Sequence, residues 1–591
     1  MSNLLGMVWT GVSGLNAAQT GIAVTGNNIA NMKTENYSRQ TVELVTKKPQ
    51  YYNGIGAIGK GVDVEAVRRE YDDLLAATVR NSNSSLSYYD TMSNTLKSAN
   101  LYFNELESGA GLGDALKNYF NAWQDLSNSA PDNTSESLTK RSVLVEAADT
   151  LARKIQDGYK YLESVRSQTD KVIESEVTSI NEITQQLAQL NKEITAAEAI
   201  GKPANELRDL RDGLLDDLSS KTQISTYLNS DGSINVFMNG ETLVDRGSSH
   251  ILYTEPDKNN EGHLKVMFKT RNSNDKGLDM TSFMKNGTIA ANIKVRDNEL
   301  KKYINDLDSL AKTLVENTNR IHASGVGLDK ASEFTGKTAV INPEYPLNSP
   351  EGELPFKIKD GSFTINVSVP TDKTNDETGE QIYETKKIVV KVEADDNLNS
   401  ILDKINSQGG KNVSASINSD NTVSIKAGPG SYIAFSDDTS DFLVAAGFNT
   451  FFSGSSAKDI TIDSQIKENP RLIAASVFGK EGDNTNALAM AKMQTQAFST
   501  TKGNVTINAF YGYFIQEMSV DKAQSDTFKA TNEKTYKELN TQLMSIKGVS
   551  EEDEQINLVM YQRMYEANSR YINVIDEMLN TLINGLGAGG R

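Results

Sequence analysis

Two amphipathic helical patterns stand at opposite ends of this 591-residue chain, and they limit what it can fold into more than any other feature. Near the start, Leu5, Val8, Val12, Leu15, Ala18, Ile22, Thr25 and Ile29 recur at steps of 3, 4, 3, 3, 4, 3 and 4. That spacing predicts a helix with a seam close to the coiled-coil period. Gly11, Ser13, Gly14, Ala17 and Gly21 surround the seam. Each glycine costs about 0.8–1 kcal/mol of helix stability relative to alanine, so the helix is weak alone and needs a closely packed partner. Near the other end, Ser550-Glu551-Glu552-Asp553 resembles a capping box, with acids at the positive end of the helix dipole. Ile556, Met560, Met564, Ala567, Tyr571, Val574, Met578 and Leu582 follow at steps of 4, 4, 3, 4, 3, 4 and 4, and Gly585 is a natural stop. This helix spans about 34 residues, roughly 50 Å at 1.5 Å per residue. Val559, Tyr561, Tyr565, Ile572, Ile575 and Leu579 add apolar positions on its other faces, more than one partner needs. Periodicity leaves two readings open. Each helix packs on its own domain, or the two pair with each other and then with neighbouring subunits.

Composition narrows the function. The net charge is −18, and such a surface repels phosphate backbones, which argues against nucleic-acid binding. Cysteine is absent, which removes disulfides, thiol nucleophiles and thiolate metal sites together. No run of about 20 apolar residues exists, so no membrane span is expected. MSNLLGMVWTGVSGLNAAQ has no basic n-region and no continuous apolar h-region, so export, if it occurs, is expected without a cleaved signal peptide.

Several motifs suggest chemistry and fail on inspection. GIGAIGKG, residues 54–61, satisfies both G-x-G-x-x-G and G-x-x-x-x-G-K, but Gly61 stands where a phosphate loop needs Ser or Thr. GVDVEAV follows and alternates like a strand, so a glycine-rich hairpin is expected there. Asp216-Asp217 is a carboxylate pair, but adjacent helical residues point apart. His250 and His263 lie near loops of a β region, and His322 near a helix C-terminus, where a cation suits the dipole. None has a ligand-spaced partner, and no nucleophile elbow, zinc-protease or calcium-loop motif occurs. No catalytic, cofactor-binding or metal site is expected.

GLNAAQTGIAVTGNNIANMKTENYSRQ, residues 14–40, resembles the N-terminal signature of bacterial flagellar axial proteins, the rod, hook and hook-associated proteins. INLVMYQRMYEANSRYINVIDEMLNTLING, residues 556–585, is similar to their C-terminal signature, and VRREYDDLL also resembles the family. The resemblance implies terminal helices that pair as a coiled coil lining a tubular assembly. It also implies export through the flagellar type III apparatus with the ends unfolded. The assembly interface it implies comprises Leu5, Val8, Val12, Leu15, Ile22 and Ile29 with Ile556, Met560, Met564, Tyr571, Val574, Ile575, Met578 and Leu582. Asn27, Asn28, Asn31, Tyr37, Ser38, Arg39 and Gln40 form the signature turn. Asparagine tolerates the left-handed conformation, so Asn27, Asn28 and Asn31 are expected to end the helix and hydrogen-bond the turned backbone. The chain then extends through residues 39–44. YSRQ resembles the hook-associated members, with Asn36 where the family usually has Gly; asparagine can take the same conformation.

The middle of the chain divides by pattern. Residues 80–220 read as helical. Ile180, Ile183, Leu187, Leu190, Ile194 and Ala197 form a coiled-coil-like seam, and the charges of ANELRDLRDGLLDDLSSKT read as a solvated, weakly paired face. Residues 224–270 alternate as strands, with Asp231-Gly232 and Asn239-Gly240 as hairpin turns. A helix is expected at 289–323, ending at Ser324-Gly325. Residues 335–465 read as strands with one helix, NLNSILDKIN, and helices return to Ile546. The expected fold is α+β and multidomain. Residues 1–75 with 505–591 form a terminal coiled-coil, inner-tube domain. Residues 76–334 with 466–504 form a helical core with a β subdomain at about 222–285, and 335–465 an inserted β-rich outer domain. The resemblance implies a structural adapter between hook and filament. Its implied partners are further copies of itself, hook protein, a second junction protein (hook-associated protein 3) and an export chaperone on the C-terminal helix. Nucleic acid and membrane insertion are not expected. A hook or distal-rod protein, or an exported adhesin or enzyme sharing the axial termini, is the alternative.

Overall fold

The structure, a computed structural model, describes every residue except 1, 53–55, 104–110, 130–132, 200, 271–275, 353, 376–379, 394, 478, 480–481 and 588–591. Its helices in chain order are α1 (Ser2–Ala30), α2 (Asp73–Asn100), α3 (Leu112–Ser127), α4 (Ser135–Glu198), α5 (Asn205–Lys221), α6 (Gly287–Lys294), α7 (Lys301–Ala323) and α8 (Leu398–Gly409). They continue as α9 (Phe442–Ala446), α10 (Ser464–Glu468), α11 (Thr485–Lys492), α12 (Ile507–Lys547) and α13 (Glu551–Gly587). No helix among the described residues is long and apolar enough to cross a membrane.

The chain forms two compact units. One comprises Met1–Thr95, Ser167–Asp297 and Lys522–Arg591, the other Leu96–Arg166 and Asn298–Asp521. The three-domain reading of the sequence divides the chain elsewhere, because α2, α4 and α12 run unbroken from one unit into the other and leave no composition shift to read. Residues 335–465 lie inside the second unit.

The first unit opens with α1 and a ribbon of β1 (Gln40–Thr46) against β4 (Val62–Arg69), which pair antiparallel from Gln40↔Arg69 to Thr46↔Val62. Between them β2 (Gln50–Tyr52) pairs with β3 (Gly56–Ile58), so a glycine-rich hairpin stands where a nucleotide loop was excluded; Gly54 and Ile55 lie outside the described residues. Four strands follow, β5 (Ser225–Leu228), β6 (Ile234–Met238), β7 (Glu241–Asp245) and β8 (Ser248–Ser249), in sheet order β5-β6-β7-β8. Asn239 and Gly240, both at positive φ, make the tight turn between β6 and β7, as the Asn-Gly signal predicts. A second sheet of β9 (Ile251–Pro256), β10 (Leu264–Lys269) and β11 (Leu278–Asp279) completes the β region.

Ile180, Ile183, Leu187 and Ile194 are buried, but not in a coiled coil. The first three join Leu215 and Leu218 of α5, Val236 and Val244 of the sheet and Ile289 of α6 in one core. A seam of branched residues packs on a sheet as readily as on a helix, and periodicity cannot separate the two; Ala197 is exposed.

In the second unit, β13 (Gly361–Thr374) lies between β14 (Gln381–Val392) and β17 (Tyr432–Ser436). A second sheet runs β12 (Glu333–Thr335), β16 (Val423–Ala427), β15 (Val413–Ile417). The expected helix is α8, capped by Asn397, whose side chain accepts from the Ser400 amide. A hairpin of Ala497–Thr500 with Gly503–Thr506, absent from the sequence reading, precedes α12. His322 is fully buried, against the expectation of a cation at the end of α7. Its Nδ1 donates to Asn449 O at 2.7 Å, its Nε2 accepts from the Ala474 amide at 2.9 Å, and burial holds its pKa down at about 4. Desolvation outweighs the dipole here.

Candidate assembly interface

Both ends of the chain meet in the first unit, where α1 packs along α13. The contact face of α1 is small. Gly11, Gly14, Ala18, Gly21, Thr25 and Asn28 are buried at steps of 3, 4, 3, 4 and 3. A Cβ on Gly11 would lie 2.6 Å from Ile572 Cγ1, and Gly14 and Gly21 leave still less room against Asn568 and Tyr561. The glycines that weaken the isolated helix therefore let the two backbones close. Ser550 caps α13, its hydroxyl accepting from the Asp553 amide at 3.3 Å, with Glu551, Glu552, Asp553 and Glu554 in the first turn.

This placement corrects the sequence reading of which residues pair within the chain. Leu5 is exposed, and Val8, Val12, Leu15, Ile22 and Ile29 are half-buried beside the glycine face. On α13, Ile575 is 1% exposed and Met564 half-buried. Ile556, Met560, Tyr571, Val574, Met578 and Leu582 are exposed, Ile556 to 67%. Tyr561, Ile572 and Leu579, read as surplus, line the inner side instead. Two apolar stripes overlap on this helix, and the smaller residues of α1 decided which one it covers.

The signature turn is built on Asn28, 1% exposed. Its Nδ2 donates to Gln40 O at 2.9 Å, and its Oδ1 accepts from the Gln40 amide at 2.9 Å and the Tyr37 hydroxyl at 2.8 Å. Asn31 donates to Asn27 Oδ1 at 2.9 Å and accepts from Thr34 at 3.0 Å; Asn27 donates to the Tyr37 hydroxyl at 3.2 Å. None of these asparagines is left-handed; they fix the turn through side chains. It is Asn36, between Asn31 and Tyr37, that takes the left-handed conformation, at φ 63°, and its side chain packs against Gly213 of α5. Burial beside Glu206 and Asp209 pushes the Tyr37 hydroxyl up to about 12.

The turn is anchored to α5, which the sequence did not predict. Asp209 Oδ2 accepts from the Ser38 amide at 3.0 Å, and Glu206 from Gln40 Nε2 at 3.0 Å. The Arg39 amide donates to Lys547 O at 2.7 Å. Arg69 Nη1 lies 2.8 Å from Asp209 Oδ1 and 2.6 Å from Asp212 Oδ2, and Arg80 reaches Asp212 at 3.1 Å and Asp216 at 2.7 Å. Burial raises the Asp212 carboxyl, but Arg69, Arg80 and Arg211 outweigh it and hold the group below its usual range. Asp209 and Asp212 of ELRDLRD are thus buried in an inward network rather than set on a solvated face. Their buried partners come from VRREYDD and the start of α2, more than 120 residues away, a distance that i,i+4 bookkeeping does not see.

Three family descriptions match: "Flagella basal body rod protein" over residues 10–37, "Flagellar hook-associated protein FlgK helical domain" over 97–337, and "Flagellar basal body rod FlgEFG protein C-terminal" over 542–585. Flagellar hook-associated protein 1 of Bacillus subtilis is 25% identical over 590 residues, covering 98% of this chain and 97% of that protein. Its counterpart in Salmonella typhimurium is 25% identical over 586 residues, covering 97% and 98%. The solved flagellar hook junction protein FlgK from Burkholderia pseudomallei shares the fold at a TM-score of 0.50 and 15% identity, over 80% of this chain and 100% of that one. With matches at both terminal signatures, across the helical middle and along nearly the whole of these relatives, the chain is similar to the hook-associated protein 1 family of flagellar proteins from end to end.

Proposed function

We propose that this protein is the structural adapter that joins the flagellar hook to the filament, assembling as a junction layer on the hook tip. The observation that carries the reading is the closed pair α1–α13, whose outer face keeps Ile556, Met560, Val574, Met578 and Leu582 uncovered. A helix pair already satisfied within one chain has a stripe of this kind to offer to neighbouring copies, and burying it at many subunit contacts supplies the assembly energy, at about 25 cal/mol per Å² of apolar area less the ordering cost. The unit that carries both terminal helices, Met1–Thr95 with Ser167–Asp297 and Lys522–Arg591, then supplies the tube. Hook protein lies below the layer and hook-associated protein 3 above it. The glycine-rich α1, weak without its partner helix, lets the ends unfold for type III export without a cleaved signal peptide, with a chaperone on α13 during export. The role is mechanical, and we assign no catalysis.

Electron microscopy of cells lacking the gene tests this, with flagellin assayed in the medium. Complete hooks without filaments, and flagellin lost to the medium, are expected. Absent hooks would assign the chain to hook or rod, and normal flagella would remove it from the axis.

A further inference from the structure

A cleft of about 1040 Å³ opens in the first unit between the signature turn and helices α4 and α5. Asp209 and Glu206 on its wall are occupied by the turn itself. Glu35, Glu182 and Asp217 are exposed carboxylates on its rim, against one exposed cation, Lys192, among the described lining residues. Leu210, 60% exposed, presents an apolar side chain between them. The cleft is therefore shaped for a basic element with an apolar or aromatic tip.

The same chain carries such an element. Residues 47–60 hold Lys47, Lys48 and Lys60 and no acid, within a protein of net charge −18. On the strand pair β2–β3, Tyr51 is 81% exposed and Ile58 is also exposed. A chain cannot seat this element in its own cleft. The signature turn joins the Gln40↔Arg69 end of the β1–β4 ribbon, whereas β2–β3 leaves the Thr46↔Val62 end, roughly 20 Å away at about 3.3 Å per strand residue. Highly acidic copies also repel one another unless opposite charges are brought together locally.

We infer that the β2–β3 strand pair of one copy docks in the turn–α4–α5 cleft of a second copy, Tyr51 and Ile58 on Leu210, with Lys48 and Lys60 facing Glu182, Asp217 and Glu35. The two surfaces differ, so the contact is head-to-tail and continues around a ring or along a helix rather than closing as a dimer. The inference deepens the junction reading and rests on it.

The absence of cysteine allows a direct test. Full-length Y51C and full-length L210C are co-expressed in cells lacking the gene, and isolated flagella are oxidised. A disulfide-linked dimer that needs both variants is expected, absent from protein in the medium. Flagella that contain both variants without the dimer overturn the contact while leaving the junction role standing. Flagella that contain neither, though formed, overturn both. Disulfide exchange cannot arise with a different protein unless that protein supplies a cysteine, so a biotin-tagged crosslinker on L210C that captures hook protein instead of a second copy also overturns it. Should either cysteine variant block assembly, charge exchange decides. K48E/K60E and E182K/D217K are each expected to lower filament yield, and their combination in one chain to restore it. Wild-type yield from either reversal alone, or no restoration, overturns the contact.

Discussion

An asparagine side chain sets an N–H donor beside a C=O acceptor at the spacing of a peptide group, and this chain uses it so repeatedly. Asn28 pairs with both backbone groups of Gln40, Asn181 with those of Leu252, Asn191 with those of Ile234 and Asn406 with those of Ala415. Each sits on a helix and ties it to both backbone groups of one strand residue. Asn28→Asp keeps the shape but sets a carboxylate oxygen against Gln40 O. It is expected to destabilise the first unit by about 1–3 kcal/mol, the cost of an unsatisfied buried group. Faster hydrogen exchange at the Gln40 amide, with the β1–β4 ribbon otherwise intact, is the measurement that checks it.

At the scale of elements, the glycines of α1 make a prediction of opposite signs. Gly21→Ala raises the helicity of an isolated peptide of residues 2–30, by about 0.8–1 kcal/mol in propensity, but sets a methyl into Tyr561 of α13. Overpacking of that kind costs about 1–3 kcal/mol, so circular dichroism of the peptide is expected to rise while thermal stability of the α1–α13 pair falls. The two faces of α13 separate similarly. Ile575→Asp is expected to open the pair within one chain, whereas Val574→Asp leaves the monomer folded, by circular dichroism, and prevents incorporation into flagella. Equal effects of both on the monomer would contradict the division of the two stripes.

Much of this was legible beforehand. The helices, hairpin turns and signature turn follow from period, Asn-Gly pairs and asparagine clusters. Periodicity could not choose between overlapping stripes on α13, because the choice was made by side-chain volume on the other helix. Nor could it place Arg69 and Arg80 against Asp209, Asp212 and Asp216, because those partners are distant in sequence and an Arg-Asp repeat looks the same whether it faces water or protein.

At the scale of the whole molecule, His322 gives a pH signature. Its folded pKa of about 4 lies below the ordinary 6.5, so the unfolded chain takes up the proton more readily. The contribution of this group to stability is full above pH 6.5, is lost as pH falls toward 4, by roughly 3 kcal/mol, and changes no further below that. Trp123 reports it, because it packs on Phe451 at 5.3 Å, the ring that also touches His322 at 5.5 Å. Trp9→Phe removes the other tryptophan. Unfolding followed by Trp123 fluorescence is expected to shift through that window, and His322→Gln to flatten the shift.

Because α1 and α13 close on each other, the backbone is a loop fastened at its two ends. A single cut far from the ends, anywhere in residues 335–465, leaves two pieces that each own one helix of the fastening. Severing the chain there is therefore not the same as losing the subunit. A nicked copy keeps both halves clasped, and only a second cut, or loss of either end, releases material from the structure it helps to hold.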